Sequence, residues 1–184
     1  MIEKIVKEHQ HTVGGFFETN RDAIYEVANL VLGALKNNRI IFFFGNGGSA
    51  ADSQHLAAEF VNRFEKERSE LAALALTTDS SVITSIANDY EYNDIFKKQI
   101  NALGKNGDIA VGISTSGNSE NVFRAIEAAK AKNMITVAFL GSNGGKIGKI
   151  ADYPLIVNAD NTARVQETHI LLGHILCSLI EQNL

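Results

Sequence analysis

Apolar positions along the chain come in two kinds of run. Short unbroken runs at Arg39 to Phe44, Leu71 to Leu76, Ile109 to Ile113, Met134 to Leu140 and Tyr153 to Val157 have a β-branched and aromatic bias. Runs without strict alternation predict strands buried on both faces. Between them, apolar residues recur at intervals of three and four, the helical period. Helices are predicted over 2–12, 19–37, 50–60, 80–88, 92–103 and 120–132. A short helical piece runs to Ala151, and a last helix, capped by Asp160 or Thr162, runs to about Gln182. In the second of these, Ile24, Val27, Ala28, Val31, Leu32 and Leu35 form a face broad enough to cover a core or a partner subunit. Strands separated by helices imply a parallel sheet with helices on both sides. The expected fold is α/β, a doubly wound five-stranded parallel sheet, in one domain over 1–184. Helices in 1–38 precede an α/β core in 39–184, and no repeat, low-complexity tract or linker divides it.

Two strand-to-helix turns carry the candidate chemistry. The first, Gly45-Asn46-Gly47-Gly48-Ser49, leads into a helix and would point backbone N–H groups at an anion. With Ala50 it matches a loose dinucleotide pattern, but that fold wants an acidic residue at the end of the second strand, ~20 residues on, and the first such candidate, Asp79, is too distant. Gly141 to Lys146 is one residue short of a P-loop, with Ile147 where Ser or Thr is required. Both nucleotide readings lose support. The second turn, Ser114-Thr115-Ser116-Gly117-Asn118-Ser119, supplies four hydroxyls at a helix start. A capped turn needs one; a phosphate ester has three acceptor oxygens to satisfy, so a phosphate cradle is the expectation. Asn46 to Ser49 then frame the rest of the ligand.

His55 and Glu59 are four residues apart on the helix after the first turn and share a face. They form a surface pair, a general acid/base couple or two metal ligands. The last helix sets Gln166, Glu167, His169 and His174 among Ile170, Leu171, Leu172, Ile175 and Leu176. A polar group there needs a partner; for His169 a backbone carbonyl suffices.

Net charge is −4, from 17 basic and 21 acidic residues, and no Lys/Arg run offsets it, which gives nucleic-acid binding no support. Lone Cys177 excludes an internal disulfide and a cysteine-rich metal knuckle and reads as a core thiol. Met1 to Thr12 lacks the apolar core of a signal peptide, and no apolar run reaches the ~20 residues of a membrane span. A soluble cytoplasmic protein is expected.

Four ordered segments together resemble the sugar isomerase (SIS) domain family, and within it the bacterial phosphoheptose isomerases. They are GNGGSAADSQHLAAEF (Gly45 to Phe60), IANDY (Ile86 to Tyr90), GISTSGNS (Gly112 to Ser119) and ARVQETHILLGH (Ala163 to His174). The resemblance implies a flavodoxin-like three-layer fold and an aldose–ketose isomerase acting on sedoheptulose 7-phosphate. Its product would be D-glycero-D-manno-heptose 7-phosphate, a precursor of lipopolysaccharide or other surface heptose. It also implies a zinc-binding homotetramer. His55, Glu59, Gln166 and His174 fall on the family's zinc positions. Glu59 and His174 are the expected catalytic pair, since an enediol route needs a base and an acid on either side of the sugar, with the assignment between the two left open. Asn46, Gly47, Gly48, Ser49, Glu59, Asn88, Asp89, Ser114, Thr115, Ser116, Ser119 and Gln166 fall on the family's substrate-binding positions. Gln166 and His174 are eight residues apart, ~12 Å of rise on one helix, too far for one metal. Either the helix begins after Gln166, or it distorts near Gly173, or the ligands come from two subunits; a site shared at the subunit interface is expected. The alternative is a non-catalytic SIS-domain branch that binds the bacterial replication initiator. That branch lacks the carboxylate and the last histidine, both present here.

Overall fold

A computed structural model describes all 184 residues. In chain order the elements are α1 (Ile2–Lys36), β1 (Ile41–Gly45), α2 (Gly48–Val61), β2 (Ala73–Ala75), α3 (Ser80–Asp89), α4 (Ile95–Leu103), β3 (Ile109–Ser114), α5 (Glu120–Ala131), β4 (Ile135–Gly141), β5 (Tyr153–Val157) and α6 (Thr162–Gln182). The five strands are all parallel and lie in the order β2-β1-β3-β4-β5. That is the doubly wound arrangement expected from the alternation of runs.

The central strands are buried on both sides because successive residues of a strand face opposite layers. By contrast β2, expected over Leu71 to Leu76, is a three-residue edge strand with Leu74 exposed. Ile41 and Phe43 of β1 pack with Val27, Val31, Leu56, Phe60, Leu172 and Leu176 from α1, α2 and α6. Phe42 and Phe44 pack on the other side with Phe96, Ile100, Val122 and Ile126 from α4 and α5. The direction in which strands are added to the sheet reverses between β1 and β3, so α2 lies over one face and α5 over the other. In such a sheet the helices diverge at the carboxyl ends of those two strands and leave a crevice, the usual ligand site of the architecture.

The N-terminal region differs from expectation. Residues 2–36 form one helix, not two. Gly14 and Gly15 interrupt the apolar period and suggest a break; each costs up to about 1 kcal/mol in a helix interior. Tertiary packing overrides that cost. Phe16 is buried beside them, and Arg164 of α6 donates to Ile5 O at 3.0 Å. Smaller departures follow from local chemistry. Tyr92–Asp94 is a 3₁₀ turn ahead of α4. The cap of α6 is Asn161, whose side chain accepts the Ala163 N–H at 3.1 Å, rather than Asp160 or Thr162. No helix is long and apolar enough to cross a membrane.

Candidate active site

The crevice at the β1/β3 switch point is lined by the two turns singled out in the sequence. After β1, Gly47 adopts φ +55, a left-handed conformation that glycine tolerates best, and α2 starts at Gly48. After β3, Gly117 adopts φ +66 and turns the chain into α5. None of the four hydroxyls of that second turn caps the helix. Ser114 and Ser119 bond each other at 3.0 Å, while Ser116 Oγ accepts the Asn118 N–H at 3.1 Å. Thr115 lies half-buried and Ser116 exposed between them. The hydroxyls are held as a group at a helix start, which is the geometry of a neutral anion cradle.

The titratable residues converge from two helices. His55 Nε2 is 3.0 Å from His174 Nε2 and 3.2 Å from Glu59 Oε1. One candidate ligand atom from each residue lies within 4.8 Å of the others. The close approach of α2 and α6 makes this possible. Leu56 occupies the place that a side chain at position 173 would need, so Gly173 lets the helices touch and sets His174 against His55. Two imidazole nitrogens this close share at most one proton, or else both point at a cation. Tetrahedral zinc with bonds of about 2.0–2.1 Å places its ligand atoms about 3.3 Å apart, and the donor set of two nitrogens and one carboxylate oxygen suits that ion. Burial lowers the His174 pKa, the neighbouring His55 adds to the effect, and Glu59 opposes it. Burial raises the Asp52 carboxyl, one turn before His55, with His55 acting against the rise.

Gln166 is not part of this cluster. α6 runs as one α-helix from Thr162 to Gln182, so it neither starts after Gln166 nor breaks near Gly173. The Gln166 amide lies against Gly48: a Cβ there would stand 2.5 Å from Gln166 Nε2. Within one chain, Gln166 therefore belongs to the entrance of the crevice. Asn88 and Asp89 end α3, exposed, and bond each other at 2.9 Å. His169 is fully buried with Nε2 3.1 Å from Leu140 O, the carbonyl partner expected for it. Burial brings its pKa down to about 4, against the raising effect of that bond, so it stays neutral. Cys177 is a buried thiol pushed up to about 12 by burial.

Sequence reasoning missed the residues that support the cluster. Phe64, in the loop after α2, stacks on His174 with ring centroids 5.2 Å apart. That loop is fastened by Glu181, near the end of α6. Its carboxylate accepts the N–H groups of Phe64, Glu65 and Lys66 at 2.8, 2.9 and 3.0 Å, and Arg68 Nε at 2.8 Å. Burial pushes the Glu181 carboxyl up, but these donors outweigh it and hold the group at about 2. Arg68 in turn donates to Glu59 O at 2.6 Å and Phe60 O at 2.9 Å, closing the end of α2. The available signal was an acidic residue in the mostly apolar C-terminal half of α6, since a buried carboxylate requires partners.

Comparison with known proteins gives a consistent picture. The SIS domain family matches residues 6–141. A phosphoheptose isomerase of Aquifex aeolicus is 49% identical over 98% of this chain and 95% of its own. Another, from Thermodesulfovibrio yellowstonii, is 51% identical over 98% and 90%. Among solved structures, the phosphoheptose isomerase of Neisseria gonorrhoeae superposes with a TM-score of 0.93 at 43% identity, covering 98% of this chain and 97% of that one. That of Francisella tularensis gives 0.95 at 36% identity, over 98% and 96%.

Proposed function

The chain belongs to the phosphoheptose isomerase family of SIS-domain proteins, and on that premise we propose that it interconverts D-sedoheptulose 7-phosphate and D-glycero-D-manno-heptose 7-phosphate. The product supplies heptose for surface polysaccharide. The convergence of Glu59 and His174 across two packed helices is the observation that carries this reading. It also favours an enzyme over the non-catalytic, initiator-binding branch, which has no use for a carboxylate and an imidazole held together.

Moving the carbonyl from C2 to C1 requires loss of a proton from C1, protonation of O2, and passage through a 1,2-enediol. Return of a proton to C2 and loss of the O1 proton then give the aldose. Glu59, half-buried beside the crevice, takes the carbon-bound proton; His174, stacked on Phe64, gives one to oxygen. The hydroxyls of Ser114, Thr115, Ser116 and Ser119 hold the phosphate, whose negative charge is met by neutral donors and by the start of α5. Asn46, Gly47, Gly48, Ser49, Asn88, Asp89 and Gln166 contact the sugar chain. His55, Glu59 and His174, joined by Gln166 of a neighbouring subunit, would hold zinc. When bound, the ion polarises the carbonyl and offsets charge on the enediolate oxygens.

This arrangement needs an oligomer, and a homotetramer with sites at its interfaces is the reading we favour. Ile5, Val6 and Tyr25 on α1 and Leu171 on α6 are exposed apolar residues, as an interface would leave on a separated chain. A cytoplasmic location fits an enzyme of sugar-phosphate metabolism. The direct experiment is an isomerase assay on sedoheptulose 7-phosphate with and without a chelator. Turnover lost on chelation and restored by zinc supports the proposal; no turnover with metal supplied refutes it.

A further inference from the structure

The side-chain amides of Asn46 and Asn121 face each other where the two turns meet. Asn46 Nδ2 donates to Asn121 Oδ1 at 2.9 Å, and Asn121 Nδ2 donates to Asn46 Oδ1 at 2.8 Å. A reciprocal amide pair is satisfied equally well with both groups turned over, so the pair alone does not fix its orientation. The backbone N–H of Val122 does, because it lies 2.9 Å from Asn121 Oδ1; a turned amide would set one N–H against another. Tyr92 adds a second donor, its hydroxyl lying 3.1 Å from Asn46 Oδ1. Tyr92 is held in turn by the segment around it. Arg124 of α5 bonds Glu91 at 2.5 Å, Asp94 at 3.1 Å and Glu120 at 2.9 Å, pinning the turn Tyr92–Asp94 to the start of α5.

The hydrogen-bonding capacity of Asn46 is therefore used unevenly. A side-chain amide has two lone pairs on oxygen and two hydrogens on nitrogen. Asn121 and Tyr92 occupy both lone pairs, and Asn121 occupies one hydrogen. One N–H is left over. We infer that Asn121 and Tyr92 are positioning residues that lock the Asn46 side chain as a donor, so that it meets an acceptor oxygen of the sugar phosphate and turns away groups that can only donate. Asn121, only 2% exposed, supplies the sheltered half of the lock, and Tyr92, 54% exposed, the half nearest the ligand's path. The identity of the ligand rests on the isomerase reading above; the lock itself rests on the hydrogen bonds among Asn46, Asn121, Val122 and Tyr92.

Kinetic double-mutant cycles on the full chain, with sedoheptulose 7-phosphate as substrate, test the inference. Tyr92→Phe keeps the ring at an exposed position and removes only the donor; KM should rise about threefold with kcat held within about twofold, the size of one neutral hydrogen bond. Asn121→Ala removes both amide–amide bonds, leaving only Tyr92 on Asn46, and should raise KM about tenfold. In an Asn46→Ala background neither change should add more than about a factor of two, because both act through Asn46. Effects that multiply in full in that background, or a KM that Asn46→Ala leaves unmoved, would overturn the lock. Absence of wild-type turnover would count against the isomerase reading instead, and the lock is then judged on the ligand-free protein. Exchange of the Asn46 side-chain amide hydrogens in ¹⁵N-labelled protein should be faster in Tyr92→Phe than in wild type; equal rates would refute it.

Discussion

Between Ser114 and Ser119, six consecutive residues supply a cradle of hydroxyls and backbone donors in a single turn. At the other end of the crevice, His55 and His174 meet across 119 positions of sequence, carried by two helices that touch only because position 173 is glycine. The first region is assembled by local chain chemistry and contains no ionisable group. The second is assembled by packing and contains three. A binding function that needs neutral donors tolerates a local, solvent-exposed turn. A function that needs titratable groups at 3 Å requires rigid elements and a braced surround, which here is the Phe64 stack and the Arg68–Glu181 clasp.

Substitutions at the two ends should therefore behave differently. Glu59→Gln removes the proposed base while keeping the shape, and turnover should fall by at least about 10³-fold with the melting temperature unchanged; wild-type activity in this variant would remove Glu59 from the chemistry. Chains carrying Gln166→Ala or His174→Ala should be inactive alone and regain activity when mixed and reassembled, since α6 holds the two residues ~12 Å apart in one chain. No recovery in any mixture would argue against a shared site. Glu181→Gln should cost about 3 kcal/mol in unfolding free energy, because it leaves Arg68 and three N–H groups underpaired. The sign with pH is definite. Glu181 titrates at about 2 when folded, below its ordinary 4.5, so its stabilisation is present above 4.5 and fades as pH falls towards 2. Denaturant titrations at pH 3 and pH 7 should show that difference in wild type and a smaller one in the variant. Ser116→Ala, at the exposed end, should raise KM about threefold with kcat unchanged, one donor among several being lost. A KM that does not move would misplace the phosphate.

Most of the fold was legible from the order of apolar runs, because a strand buried on both faces has no polar positions and a helix lying on one face shows its period. The errors fell where tertiary contacts outweigh local preference. Gly14 and Gly15 suggest a break that the packing of α1 on α6 abolishes. Asn161 rather than its neighbours caps α6. Candidate residues were legible wherever residue type itself is unusual, as with four clustered hydroxyls or a histidine in an apolar helix. Supporting residues such as Asn121, Tyr92, Phe64 and Arg68 are ordinary in type, and only their neighbours give them a role.

By itself, then, the sequence determined the layered parallel sheet, the two turns at its carboxyl edge and the set of residues with reactive side chains. Periodicity and turn chemistry act over a few residues and survive without the rest of the chain. Tertiary structure decided which of those residues meet. It joined His55 to His174, sent Gln166 to the crevice entrance, and fixed the amide of Asn46 with its donor free. Distances of 3 Å between helices follow from packing, which no local pattern encodes.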